Sequence, residues 1–61
     1  MVYAVGYDPK EEILEVVFAK GEIWGYEKVP PEVYDELINS SSIGRYMRSN
    51  VLDFYSEYPI N

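Results

Sequence analysis

Sixty-one residues with eleven acidic and five basic side chains, a formal charge of −6, and neither histidine nor cysteine exclude disulfide stapling, leave no thiolate or imidazole for a zinc site, and remove the commonest general base and soft nucleophile. The acidic balance also opposes broad, charge-driven binding to a nucleic-acid backbone. What the composition supplies is aromatic area, seven tyrosines, one tryptophan and two phenylalanines, in a single small domain that buries only about 60% of its unfolded surface and so relies on large aromatics or on self-association for stability.

Three apolar segments with strand character come first: Met1 to Tyr7, Ile13 to Ala19 and Glu22 to Val29. The turn signals Asp8-Pro9 and Lys20-Gly21 separate them. They are expected to form a meander of three antiparallel strands. The second turn decides which side chains share a face. A two-residue loop at Lys20-Gly21 needs left-handed backbone at both positions, which lysine fits poorly. A three-residue loop, Ala19-Lys20-Gly21, asks for it only at the glycine. The longer loop pairs Phe18 with Glu22, Val16 with Trp24 and Leu14 with Tyr26. It places Leu14, Val16, Phe18, Trp24 and Tyr26 on one face, with Ile13, Glu15, Val17, Ala19, Ile23 and Gly25 on the other.

Pro30-Pro31 then opens a helix predicted over Pro31 to Asn39, since proline at a first helical position forfeits only a donor that would be unpaired anyway. Val33, Tyr34, Leu37 and Ile38 give it an apolar stripe, and Glu32, Asp35 and Glu36 complement the positive end of its dipole. The run Asn39-Ser40-Ser41-Ser42 reads as a hinge. A second helix starts with Ser41 or Ser42 as cap and runs to about Asn50, with Ile43, Tyr46, Met47 and Asn50 on one side. Gly44 weakens that helix by roughly 1 kcal/mol relative to alanine, which marks an expected close approach of backbone there. The tail from Val51 carries Leu52, Phe54, Tyr55 and Tyr58 and packs along the sheet or adds a strand. The expected fold class is therefore α+β: a three-stranded antiparallel meander, two short helices packed on one sheet face, and a C-terminal extended tail or added strand, all in one domain spanning residues 1–61. No stretch of about 18 apolar residues and no basic, apolar leader is present, so the expectation is a cytoplasmic protein without a membrane partner.

Val5-Gly6-Tyr7-Asp8-Pro9, Leu14-Glu15-Val16-Val17-Phe18, Gly21, Trp24-Gly25-Tyr26, Val29-Pro30, Val33-Tyr34 and Ser42-Ile43-Gly44-Arg45-Tyr46 together resemble the KTSC domain family. The resemblance covers about four fifths of the chain in family order. It implies a small domain of the kind that stands alone in bacteria and phages or is appended to some lysyl-tRNA synthetases, for which RNA binding is the usual suggestion. The central motif of the family, an aromatic, a variable residue and a tyrosine, is Trp24-Gly25-Tyr26 here. Gly25 stands where many members carry a cation and Ile43 where a basic residue is frequent, while Arg45 keeps the basic residue after the glycine.

Arg45 and Arg48 are the only arginines, three positions apart on the second predicted helix and opposite Tyr46 and Met47. With Ser42, Gly44 and the free backbone donors of a helix start, they make the best candidate for an anion site. The plainer alternative pairs them with acids of the first helix or the tail. Trp24 and Tyr26 are candidates to stack a base, although the loop argument places them in the core. Ile13, Val17, Ile23 and Gly25 line a sheet face that two short helices on the other side leave uncovered, a candidate interface with a second copy. Glu11-Glu12 and Asp35-Glu36 are explained by a solvated turn and a helix face rather than by a catalytic dyad. Gly21 and Gly25 belong to a hairpin, not to a phosphate-binding loop. The expected function is a non-enzymatic, self-associating module without cofactor or metal that captures a nucleotide or an RNA end through aromatics and arginines. The competing expectation is a phage-type interaction factor that docks on a host protein through its acidic, aromatic surface.

Overall fold

Apolar residues at alternate positions put the first three segments into strands β1 (Val2–Asp8), β2 (Ile13–Phe18) and β3 (Ile23–Tyr26), in a computed structural model that describes residues 1–61. The β2–β3 register is the one set by the three-residue loop, with Leu14 opposite Tyr26 and Val16 opposite Trp24. Phe18 N–H donates to the Glu22 carbonyl at 2.8 Å, and Gly21 takes a left-handed φ of 88°, which glycine adopts without steric cost. β1 pairs antiparallel with β2 from Asp8↔Ile13 to Val2↔Phe18, with an irregularity between Val2 and Ala4 that leaves the Tyr3 side chain in solvent.

One expectation is corrected in the second half of the sheet, and one open alternative is decided. β3 ends at Tyr26, not Val29, because Lys28 adopts a left-handed φ of 59° and swings Val29 into the core, where its N–H donates to the Glu12 carbonyl at 2.9 Å. Of the two courses expected for the tail, it takes the added strand, β4 (Glu57–Pro59), and the sheet order is β1-β2-β3-β4. β4 satisfies the far edge of β3: Gly25 lies opposite Tyr58, Glu27 N–H donates to the Ser56 carbonyl and Ile60 N–H to that of Ile23.

The helices α1 (Pro31–Ile38) and α2 (Ile43–Asn50) intervene between β3 and β4 and cover one sheet face. Between the helices, Asn39 caps α1 by donating to the Asp35 carbonyl from both its backbone and its side chain. Ser40 Oγ then donates to the Ser42 carbonyl and accepts from Ser42 N–H, closing the hinge on itself. Leu14, Val16, Tyr26, Val29, Leu37, Met47 and Val51 form the core, each at most 1% exposed. Trp24 and Phe18 pack at its margin, and a ring stack of Tyr7 on Tyr34 at 4.9 Å joins β1 to α1.

On the opposite face Ile13, Val17 and Ile23 are half-buried, and Glu15 is exposed among them. Gly25 is corrected as a candidate interface residue: it is buried, because the Tyr58 ring from β4 lies across it.

Candidate functional site

The hinge delivers the chain into α2 with Ser42 in extended backbone, and its side chain accepts from Arg45 N–H at 3.3 Å. The first intrahelical bond runs from Tyr46 N–H to the Ser42 carbonyl. Ile43 and Gly44 therefore keep their N–H groups free at the positive end of the helix. Met47 is the buried residue of α2, so Arg45 and Arg48 stand on its exposed side. They line one cleft of about 730 Å³ together with Ser40, Ser41, Ser42, Ile43 and Gly44, while Met1 and Val2 form its far wall. A second hollow of about 210 Å³ shares Ser40, Ser41, Ser42 and Arg45 and reaches round to Ser49 and Asn50.

At Gly44 the expected close approach of backbone is absent. Nothing lies within 4 Å of where a Cβ would stand, and the bare position widens the cleft instead. Glu36 of α1 is taken by another donor on α2, since Tyr46 Oη donates to its Oε1 at 2.7 Å. Burial, and then this bond to Glu36, push the Tyr46 phenol up to about 12. Neither guanidinium is among the side-chain donors of the fold, which are Tyr7, Asn39, Ser40, Tyr46 and Asn50.

The structure therefore brings Ser42, Gly44, Arg45 and Arg48 together and separates them from Trp24 and Tyr26. The latter pair lines a hollow of about 270 Å³ with Phe18, Leu52 and two carboxylates, Glu22 and Glu57. Tyr26 is 1% exposed, and burial followed by the charge of Glu57 pushes its phenol up to about 12. A base has no free tyrosine face to stack on there, and its phosphate would meet two acids. The joint aromatic and arginine pocket is thus corrected to an arginine and serine cleft. The contribution of Met1 and Val2 had no local signal in the sequence, because it depends on β1 ending beside the start of α2. The cleft offers hydrogen-bond donors and two fixed positive charges, the complement of a compact anion. No three acidic side chains converge as a metal centre requires, and no helix is long and apolar enough to cross a membrane.

The KTSC domain model matches residues 1–55. Over 43 residues the chain is 49% identical to an uncharacterized protein of Stutzerimonas stutzeri (strain A1501), covering 70% of this chain and 61% of that relative. It thus spans about three fifths of the relative's length. A protein of Tsukamurella paurometabola is 44% identical over 50 residues, covering 82% of this chain and 75% of its own. The crystal structure of a KTSC domain protein from Yersinia pestis has the same fold, with a TM-score of 0.95 over 98% of this chain and 84% of that one at 23% identity.

Proposed function

The chain belongs to the KTSC domain family, and from that premise we propose that it is a non-enzymatic, self-associating binding module that captures a compact anion. The anion is a nucleotide or the terminal phosphate of an exposed RNA end, held in the cleft of Ser42, Gly44, Arg45 and Arg48. One observation carries this reading: both arginines of a chain of net charge −6 line a single cleft with exposed serines and the start of a helix. A charge-assisted hydrogen bond contributes about 1.5–3 kcal/mol, so a few converging donors suffice for a small ligand. A long polyanion gains the same contacts but must also lie along the acidic remainder of the surface.

Calorimetry with nucleoside mono-, di- and triphosphates, and with short single-stranded RNA carrying or lacking a 5′ phosphate, separates the two sources of anion. Saturable binding should weaken at least about tenfold, or 1.4 kcal/mol, in Arg45→Ala and in Arg48→Ala. Binding that is unchanged in both variants overturns the reading. Affinity that falls steeply with salt and grows with RNA length points instead to backbone binding along a strand. A pull-down that recovers one stoichiometric protein and no nucleotide favours the host-protein alternative.

A further inference from the structure

The two edges of the sheet differ in how well they are guarded. β4 is three residues long, and Pro59 denies an incoming strand one donor. β1 is seven residues long and contains neither lysine nor proline. Its outward-facing groups follow from the pairing. Phe18 N–H and C=O bond towards β3, with Glu22 and Gly21, and by alternation Val16 and Leu14 do the same. Ile13, Glu15 and Val17 therefore face β1, where they meet Asp8, Gly6 and Ala4. Val5 and Tyr7 are left directing their N–H and C=O groups to the open edge.

Charge is polarised along that edge. At its far end Tyr7 Oη donates to the Val29 carbonyl and Val29 N–H to that of Glu12, which brings Glu12 and the start of α1, with Glu32, to the end of β1 that carries Asp8. Burial first, and then the charges of Glu12, Glu32 and Asp8, hold the Tyr7 phenol above its ordinary value. At its near end Met1 and Val2 line the same cleft as Arg45 and Arg48. The far end is acidic only on balance, with Asp8, Glu11, Glu12 and Glu32 against Lys10 and Lys28, and the near end is basic, about 20 Å away at roughly 3.3 Å per residue.

Such an edge complements itself only when reversed. We propose that the chain self-associates through β1, antiparallel to β1 of a second copy and centred on Gly6, so that one sheet runs through both copies and each acidic end meets a basic one. Val5 and Tyr7 of each copy exchange hydrogen bonds with Tyr7 and Val5 of the other. Gly6 faces Gly6 at the symmetry axis, where close approach is open because nothing lies within 4 Å of its missing Cβ. Asp8, the only charged residue of the strand, falls opposite Ala4 rather than opposite another carboxylate. The outer sheet face is the poorer interface: Tyr58 covers Gly25, and exposed Glu15 would bring a carboxylate into the contact. This inference specifies the self-association of the proposed module and stands without the anion site. An anion in the cleft and a second copy compete for the same two arginines.

The test needs no nucleotide. In sedimentation equilibrium, Arg45→Glu/Arg48→Glu and Glu12→Lys/Glu32→Lys should each raise the self-dissociation constant more than tenfold. An equimolar mixture of the two should recover a mixed dimer, because both of its contacts are again of opposite charge. Hydrogen exchange on the unaltered protein should show the Val5 and Tyr7 amides slowing with concentration. A chain that stays monomeric at every concentration, association indifferent to both charge pairs, or Val5 and Tyr7 amides that exchange equally fast in the associated state would each overturn the proposal.

Discussion

Tyr58 lies with its ring directly over Gly25 across the β3–β4 pair, so close that a methyl group on Gly25 would come within 2.5 Å of Tyr58 Cζ. A glycine in a strand interior normally weakens it, and here an aromatic from the neighbouring strand occupies the bare position and shields the backbone. The contact also explains how a three-residue strand holds its place at the edge of the sheet.

Gly25→Ala should therefore destabilise the fold, by about 1–3 kcal/mol, because the ring must leave its seat. In a Tyr58→Ala background the same change should be neutral or stabilising, since alanine is the better strand residue once the ring is gone. Urea unfolding of the four proteins in this double-mutant cycle measures the difference, and equal effects in both backgrounds refute the account.

Gly44→Ala should stabilise the protein by up to about 1 kcal/mol, because the position is helical and has open space around it. Ser42→Ala should act the other way, by about 0.5–2 kcal/mol, as Arg45 N–H loses its acceptor, whereas Ser42→Gly should cost only a few tenths. Thermal unfolding resolves both, at roughly 4–8 °C per kcal/mol in a domain of this size.

Tyr7→Phe keeps the ring stacked on Tyr34 but removes the donor to the Val29 carbonyl. A loss of about 1–3 kcal/mol is expected, with most of the cost in leaving that part-buried acceptor unpaired. Tyr46→Phe removes an exposed bond to Glu36 and should cost less than about 1 kcal/mol. Chemical denaturation of the two variants side by side gives the ranking.

Alkaline pH should unfold the chain in a defined window. Tyr26 and Tyr46 ionise at about 12 in the folded state against an ordinary value of 10.0, so above pH 10 the unfolded chain loses these protons first. The stability they contribute is complete below about pH 10 and disappears as pH rises towards 12. Stability measured across that range, with tyrosinate absorbance followed in parallel, should fall as pH rises, and a flat profile contradicts it.

Leu37→Ala should cost about 2–5 kcal/mol by opening a cavity in a core of seven side chains. Since small domains have little stability in reserve, a substantial unfolded fraction at room temperature is expected by circular dichroism.

The amino-acid sequence alone determined what depends on near neighbours. Gly21 selected the three-residue loop, and that loop set the register that buries Leu14, Val16 and Tyr26 together. Ser42 caps α2 and Arg45 and Arg48 follow at intervals of three along it, so their common side was legible from spacing. Family membership, too, was legible in motifs whose order survives without coordinates. Tertiary structure alone decided what depends on residues far apart in the chain. Lysine is a poor signal for left-handed backbone, so the end of β3 at Tyr26, ahead of the turn at Lys28, emerged only once Val29 had a core to enter. The weak tail pattern became β4 because β3 had unpaired backbone groups, and it brought the ring that removed Gly25 from the surface. Trp24 and Tyr26 are joined to the arginines by type but divided from them by the core, and Met1 and Val2 entered the cleft through the return of α2 to the start of β1. Local backbone chemistry acts over a few residues, whereas faces, edges and clefts arise from whichever distant segment buries the remaining apolar area and pairs the remaining backbone.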